Sequence, residues 1–142
     1  MLFRSAIRVF VWSAAAAAVL GIIQFFAQFL FGTEKVFSLW VHGLLPFFLG
    51  PEFSEAVASY QSLLVNISGK TFLRATALFP DPHMFAFFLG MAFPIALYSA
   101  YHSERISTRR SLFFASGLIV LCDFLTFSRG GYVGLEIGRA HV

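Results

Sequence analysis

The stretch "VWSAAAAAVLGIIQFFAQFLF", Val11 to Phe31, carries no charged residue. About 20 apolar residues are enough for a helix to cross the hydrocarbon core of a bilayer. Together with Val9 and Phe10 it forms a first candidate span, Val9–Phe31. Arg4 and Arg8 precede it, as a basic segment precedes the core of a signal peptide. The apolar run is too long for such a core, and no clear small-residue cleavage site follows it. The stretch therefore reads as a membrane helix. Gln24 and Gln28 lie one turn apart on one face and read as a hydrogen-bonding face towards a neighbouring helix.

The rest of the chain agrees with that reading. Its 142 residues are 58% hydrophobic and 12% charged, with 20 phenylalanines. A soluble domain carries about 25% charged residues, so a bilayer is the better solvent. The mean hydropathy is +0.79 and the pI about 9.4. The basic residues do not form a patch interleaved with aromatics, so nucleic acid is not indicated. They fall at the ends of apolar runs, where membrane topology uses them. The single cysteine, Cys122, allows neither an internal disulfide nor a cysteine-based metal site, and reads as a small buried hydrophobe.

Two more runs follow. Met84–Tyr101, "MFAFFLGMAFPIALYSAY", is a second span with Pro94 inside it, and Leu112–Phe127, "LFFASGLIVLCDFLTF", is a shorter third. "GGYVGL" opens like a fourth. Arg105, Arg109 and Arg110 sit in the link between the second and third spans. With Arg4 and Arg8 they mark the cytoplasmic side. Gly32–His83 and Arg129 then lie outside. The expected fold is all-α and polytopic, with about three complete spans and the start of a fourth. Within the outer segment, "VFSLWVHGLLPFFLG" is apolar but interrupted by Gly43 and Pro46. It reads as an interfacial or re-entrant piece with Trp40 at headgroup depth. A short amphipathic helix is expected next, capped by Ser54, with Val57, Tyr60, Leu63 and Leu64 on one face. His42 has no second ligand at helical spacing, and no metal site is expected. "NIS" at Asn66 matches a glycosylation sequon weakly.

Two clusters can carry chemistry. Ser128 can cap a helix, and Gly130 and Gly131 allow a tight turn with exposed N–H groups, which favours anions. Arg129 adds a planar fork suited to phosphate, at the depth of a lipid headgroup; its bland alternative is an arginine that snorkels and anchors the helix end. Asp123, within the third span, is either functional or a structural partner on another helix. In "RATALFPDPHMFAFFLG", Arg74–Gly90, Pro80 and Pro82 fix an extended turn around Asp81 that leads into the second span. Arg74, Asp81 and His83 are thereby held near the outer face.

"RATALFPDPHMFAFFLG" followed one span later by "LTFSRGGYVGL" resembles the O-antigen ligase and O-antigen polymerase family of bacterial membrane glycosyltransferases. The usual pattern there is R-x-x-G-x-x-x-x-P-N leading into a membrane helix, with a later helix ending in "SRG" and a small residue. This chain has Ala77 where glycine is common and His83 where asparagine is common. The resemblance covers the second half of the chain. It implies transfer of a glycan from a polyprenyl-pyrophosphate carrier to lipid A–core or a growing polysaccharide, on the periplasmic face of the inner membrane and without a cofactor. It also implies that Arg129, with Arg74 as a weaker candidate, stabilises charge. Ser128, Gly130, Gly131, Asp81 and His83 would line the pyrophosphate site. A large outer loop with a further arginine and a histidine base is implied as well, and nothing in this chain matches it.

The last residues, "EIGRAHV", resemble the translated read-through of a common sequencing adapter. The ligase-like membrane region is therefore expected over 1–135, with 136–142 not native; Ile137 to Val142, including Arg139 and His141, are set aside. Such a chain would hold part of a donor site and be inactive alone. The rival readings are a piece of a transporter or flippase, which would show broken helices in inverted repeats, and a structural membrane subunit in which Arg129 and Asp123 only hold helices together. No repeat is visible.

Overall fold

The computed structural model describes residues 2–129, with side chains from residue 5. Six α-helices dominate it: α1 (Leu2–Phe31), α2 (Thr33–Ser38), α3 (Leu45–Leu49), α4 (Pro51–Ala58), α5 (Pro82–Tyr101) and α6 (Ile106–Leu125). Two short strands, β1 (Leu64–Ile67) and β2 (Lys70–Leu73), pair antiparallel between α4 and α5.

Helices α1, α5 and α6 form the main bundle. Each of α5 and α6 is 20 residues long, about 30 Å at 1.5 Å per residue. Their short link makes them antiparallel, so the start of α5 lies beside the end of α6. The shared core takes Val11, Ala14, Ala18 and Phe25 from α1, Phe85, Leu89, Ala92, Ala96 and Ala100 from α5, and Leu112, Ile119 and Cys122 from α6. Small residues let the backbones approach closely. A Cβ added at Gly21 would lie 2.8 Å from Cys122 Sγ and 2.9 Å from Phe85 Cε1. Helix α5 continues through Pro94, which leaves the Gly90 carbonyl without its usual donor.

Segments Ser5–Phe31 and Pro82–Tyr101 are long and apolar enough to cross a membrane. Only 39% and 33% of their most apolar stretches are buried, so most of each faces outward. Among the described residues these are two, where three complete spans were expected. Helix α6 has the length but includes Arg109, Arg110 and Asp123, and it begins at Ile106, a little before the apolar run. Gly130 to Leu135, the expected start of a fourth span, and the 136–142 tail lie outside the described residues.

The segment between α1 and α5 forms a second layer with its own packed cluster. Gly32 and Gly50, at φ 88° and 86°, break the chain before α2 and α4. Between them the helix is continuous, with a π-helical turn over Leu39–Leu44. That wider turn precedes Pro46, which lacks an N–H and crowds the carbonyl four residues back. Trp40 is buried, with its indole N–H donating to the Ala77 carbonyl. It packs with Val36, Val41, Leu45, Val57, Leu63 and Leu73. Ser54 is no N-cap: α4 starts at Pro51, and the Ser54 hydroxyl donates to the Pro51 carbonyl at 2.8 Å. Tyr60, Leu63 and Leu64 lie beyond α4, because the chain turns into β1 there. The hairpin also departs from the all-α expectation. Ser68 and Gly69, both at positive φ, close it in a two-residue turn of the kind that matches strand twist.

Candidate functional site

The two sequence clusters meet at one end of the bundle. The segment Leu73–Ala77 runs from β2 over the C-terminal end of α1 and is buried throughout. Gln24 and Gln28 hold it there. The Gln24 side-chain oxygen accepts from the backbone N–H of Thr76 and of Ala77, each at 2.9 Å. The Gln24 amide donates to the Thr76 hydroxyl at 3.0 Å. Gln28 accepts from the Leu73 N–H at 2.8 Å and donates to the Leu73 carbonyl at 3.0 Å. These glutamines are structural, as their spacing suggested, but their partner is the non-helical backbone of residues 73–77 rather than another helix.

The same segment closes the end of α6. The last carbonyls of a helix lack intrahelical donors. Here the Ala75 N–H donates to the Leu125 carbonyl at 3.1 Å. Arg74 takes the next two: Nε donates to the Thr126 carbonyl at 2.6 Å and Nη2 to the Phe127 carbonyl at 2.9 Å. Its Nη1 donates to the Ser62 carbonyl at 3.0 Å. Arg74 is 7% exposed, so it is a buried clamp joining the outer layer to α6. Phe127, at φ 50°, turns the chain out of the helix. Ala77 also has a positive φ, 49°. A left-handed backbone there favours glycine.

Asp81 caps α5. One carboxylate oxygen accepts from the His83 N–H and the other from the Ser62 hydroxyl, both at 2.7 Å. Partial burial pushes the Asp81 carboxyl up. The Ser62 hydroxyl, the His83 and Met84 backbone N–H groups and the nearby His83 ring outweigh it, and hold the carboxyl below its usual value of 3.8. The His83 ring then reaches across to α6, with Nδ1 2.9 Å from Ser128 Oγ. Arg129, the next residue, is exposed.

Arg74, Asp81, His83 and Ser128 are thus brought together, with Arg129 beside them. Gly130 and Gly131 lie outside the described residues. Asp123 is fully buried one turn earlier on α6, and neither carboxylate oxygen has a hydrogen-bond partner among the described residues. No group of three or more His, Cys, Asp or Glu able to hold a metal occurs among them either. Ser62 and Trp40 belong to the support of the site and were not expected there. The family models, curated proteins and solved structures compared with the chain include no match to it.

Proposed function

We propose that this chain is part of an integral inner-membrane glycosyltransferase that moves a glycan from a polyprenyl-pyrophosphate carrier to a sugar hydroxyl, on lipid A–core or a growing polysaccharide, at the periplasmic face. The observation that carries the reading is the convergence of the two motifs. His83 meets Ser128, Arg74 clamps the Thr126 and Phe127 carbonyls, and Arg129 is left exposed at the same end. The outward-facing surface of the bundle supports a lipid environment: Leu30, Phe114 and Val9 are 82%, 70% and 67% exposed, which water would penalise. In this reading α6 is a third span. Arg109 and Arg110 near its start reach the cytoplasmic headgroups with their long stems.

The chemistry follows from the charges. The acceptor oxygen attacks the anomeric carbon of the donor. The bond from that carbon to the phosphate oxygen breaks, and polyprenyl pyrophosphate leaves with the electron pair. The hydroxyl proton passes to a base not found among the described residues. Arg129 stabilises the charge that develops on the pyrophosphate. Arg74, whose donors are directed to backbone carbonyls, positions the helix end that carries Arg129.

The test is glycan transfer in membranes from a lipid-pyrophosphate donor, with expression levels matched. Arg129→Lys keeps the charge and loses the bidentate fork. Activity should fall roughly a hundred- to a thousandfold, about 2.7–4 kcal/mol. Near-native transfer by both Arg129→Lys and Arg129→Ala would leave Arg129 as a helix anchor only.

A further inference from the structure

We propose that Ser128 sets the ring tautomer of His83, so that His83 presents Nε2–H beside Arg129 to an oxygen of the pyrophosphate. This rests on the donor-site reading above and adds a second contact and the residue that orients it.

His83 is placed from two sides. Its backbone N–H is held by Asp81 on the first turn of α5. Its ring Nδ1 is held by Ser128, which is 0% exposed, at the end of α6. His83 itself is exposed, and Nε2 has no hydrogen-bond partner among the described residues. The ring therefore bridges the two motifs through one nitrogen and offers the other outward.

A neutral imidazole has one N–H, and the 2.9 Å contact fits a hydroxyl that donates to a bare Nδ1 or accepts from Nδ1–H; we assign Ser128 the donor role. If Nδ1 carried the proton, Nε2 would show a bare lone pair to an anion, which repels it. If the Ser128 hydroxyl donates to Nδ1, the proton sits on Nε2 and the anion meets a donor. The imidazolium also offers Nε2–H. Of the three protonation states, Ser128 as donor excludes the one that cannot bind phosphate. Arg129 follows Ser128 in the chain, so both donors serve one end of the bundle. Ser128 is a positioning residue here, and His83 makes the contact.

The protein in lipid nanodiscs, with 15N-labelled histidine, gives the test. His83→Gln assigns the His83 ring signals by their loss. In the wild type, the neutral His83 ring should show the Nε2–H pattern. In Ser128→Ala it should become a mixture, and Ser128→Thr should restore it. Binding is read with farnesyl pyrophosphate, and with inorganic pyrophosphate as a second arm. Tighter binding of the farnesyl probe assigns the contact to a lipid-linked group, and equal binding overturns that assignment. His83→Gln, whose amide nitrogen lies near the Nε2 position, should bind within a few-fold of wild type. His83→Asn and Ser128→Ala should lose about tenfold, as for a hydrogen bond to a charged group. An Nδ1–H pattern in the wild type overturns the inference. So does Arg129-dependent binding that is unchanged in His83→Asn and Ser128→Ala, and this outcome leaves the donor site standing. No binding of either probe by the wild type overturns both.

Discussion

Removing the Arg74 guanidinium tests the architecture most directly. Arg74→Ala deletes donors to the carbonyls of Thr126, Phe127 and Ser62. Hydrogen bonds to charged groups contribute about 1.5–3 kcal/mol each. The Phe127 and Ser62 bonds are only partly buried, so those two carbonyls regain water. The Thr126 bond is buried, so its carbonyl is stranded. The net cost should be about 2–4 kcal/mol, most of it from the stranded carbonyl, which by itself costs about 1–3 kcal/mol. Cys122, buried and the one cysteine of the chain, is a built-in reporter. A thiol-reactive fluorogenic dye labels it only when the bundle opens. Heated in detergent or nanodiscs, Arg74→Ala should label at a midpoint lower by on the order of 10 °C. Arg74→Lys should fall in between, since one ammonium cannot span carbonyls from two segments. A shift for Arg74→Ala of under about 2 °C would mean that the clamp contributes little.

Three further outcomes are expected. In a Cys122→Ser background, a cysteine at Lys70 should be labelled from the periplasm and one at Ser107 should not; the reverse pattern would invert the topology. The Asp81 carboxyl is held below its unfolded value of 3.8, so its contribution to stability is present above about pH 4 and is lost as pH falls through the lowered folded value. Unfolding midpoints measured down the acid limb should therefore drop more steeply for the wild type than for Asp81→Asn, and parallel limbs would count against the cap. Gly21→Ala should destabilise by about 1–3 kcal/mol through overpacking against Cys122 and Phe85; a neutral result by tryptophan fluorescence would show that α1 can move away.

What could be read from the sequence depended on the length of the signal. Helices α1 and α5 are long apolar runs, and hydropathy alone locates them. The apolar run from Leu112 marks only the membrane-like part of α6, and Arg109 and Arg110 lie inside its first turns. The hairpin was missed because its strands are four residues each and mostly exposed, so neither alternates clearly. Its signal was the Ser68–Gly69 pair between Val65, Ile67 and Thr71, Phe72. Both motifs were legible, and so was their shared end, since a short link forces α5 and α6 antiparallel. The direction of Arg74 was not. A buried guanidinium that donates to three backbone carbonyls leaves no mark on the residues that supply them.

Gln24 and Gln28 recognise main chain, so their use is indifferent to the side chains of residues 73–77 and strict about timing. Gln28 can fall back on its own helix, where its amide also donates to the Phe25 carbonyl at 2.8 Å. Gln24 has no such retreat, because its contacts are to Thr76 and Ala77. In a bilayer α1 is synthesised before those partners exist, and an unpaired amide in hydrocarbon costs several kcal/mol. On the membrane reading proposed above, the first helix is then only a provisional resident of the bilayer. It settles once the chain through Ala77 has folded back over it, which makes closure of the second layer a step in biogenesis and not just a product of it.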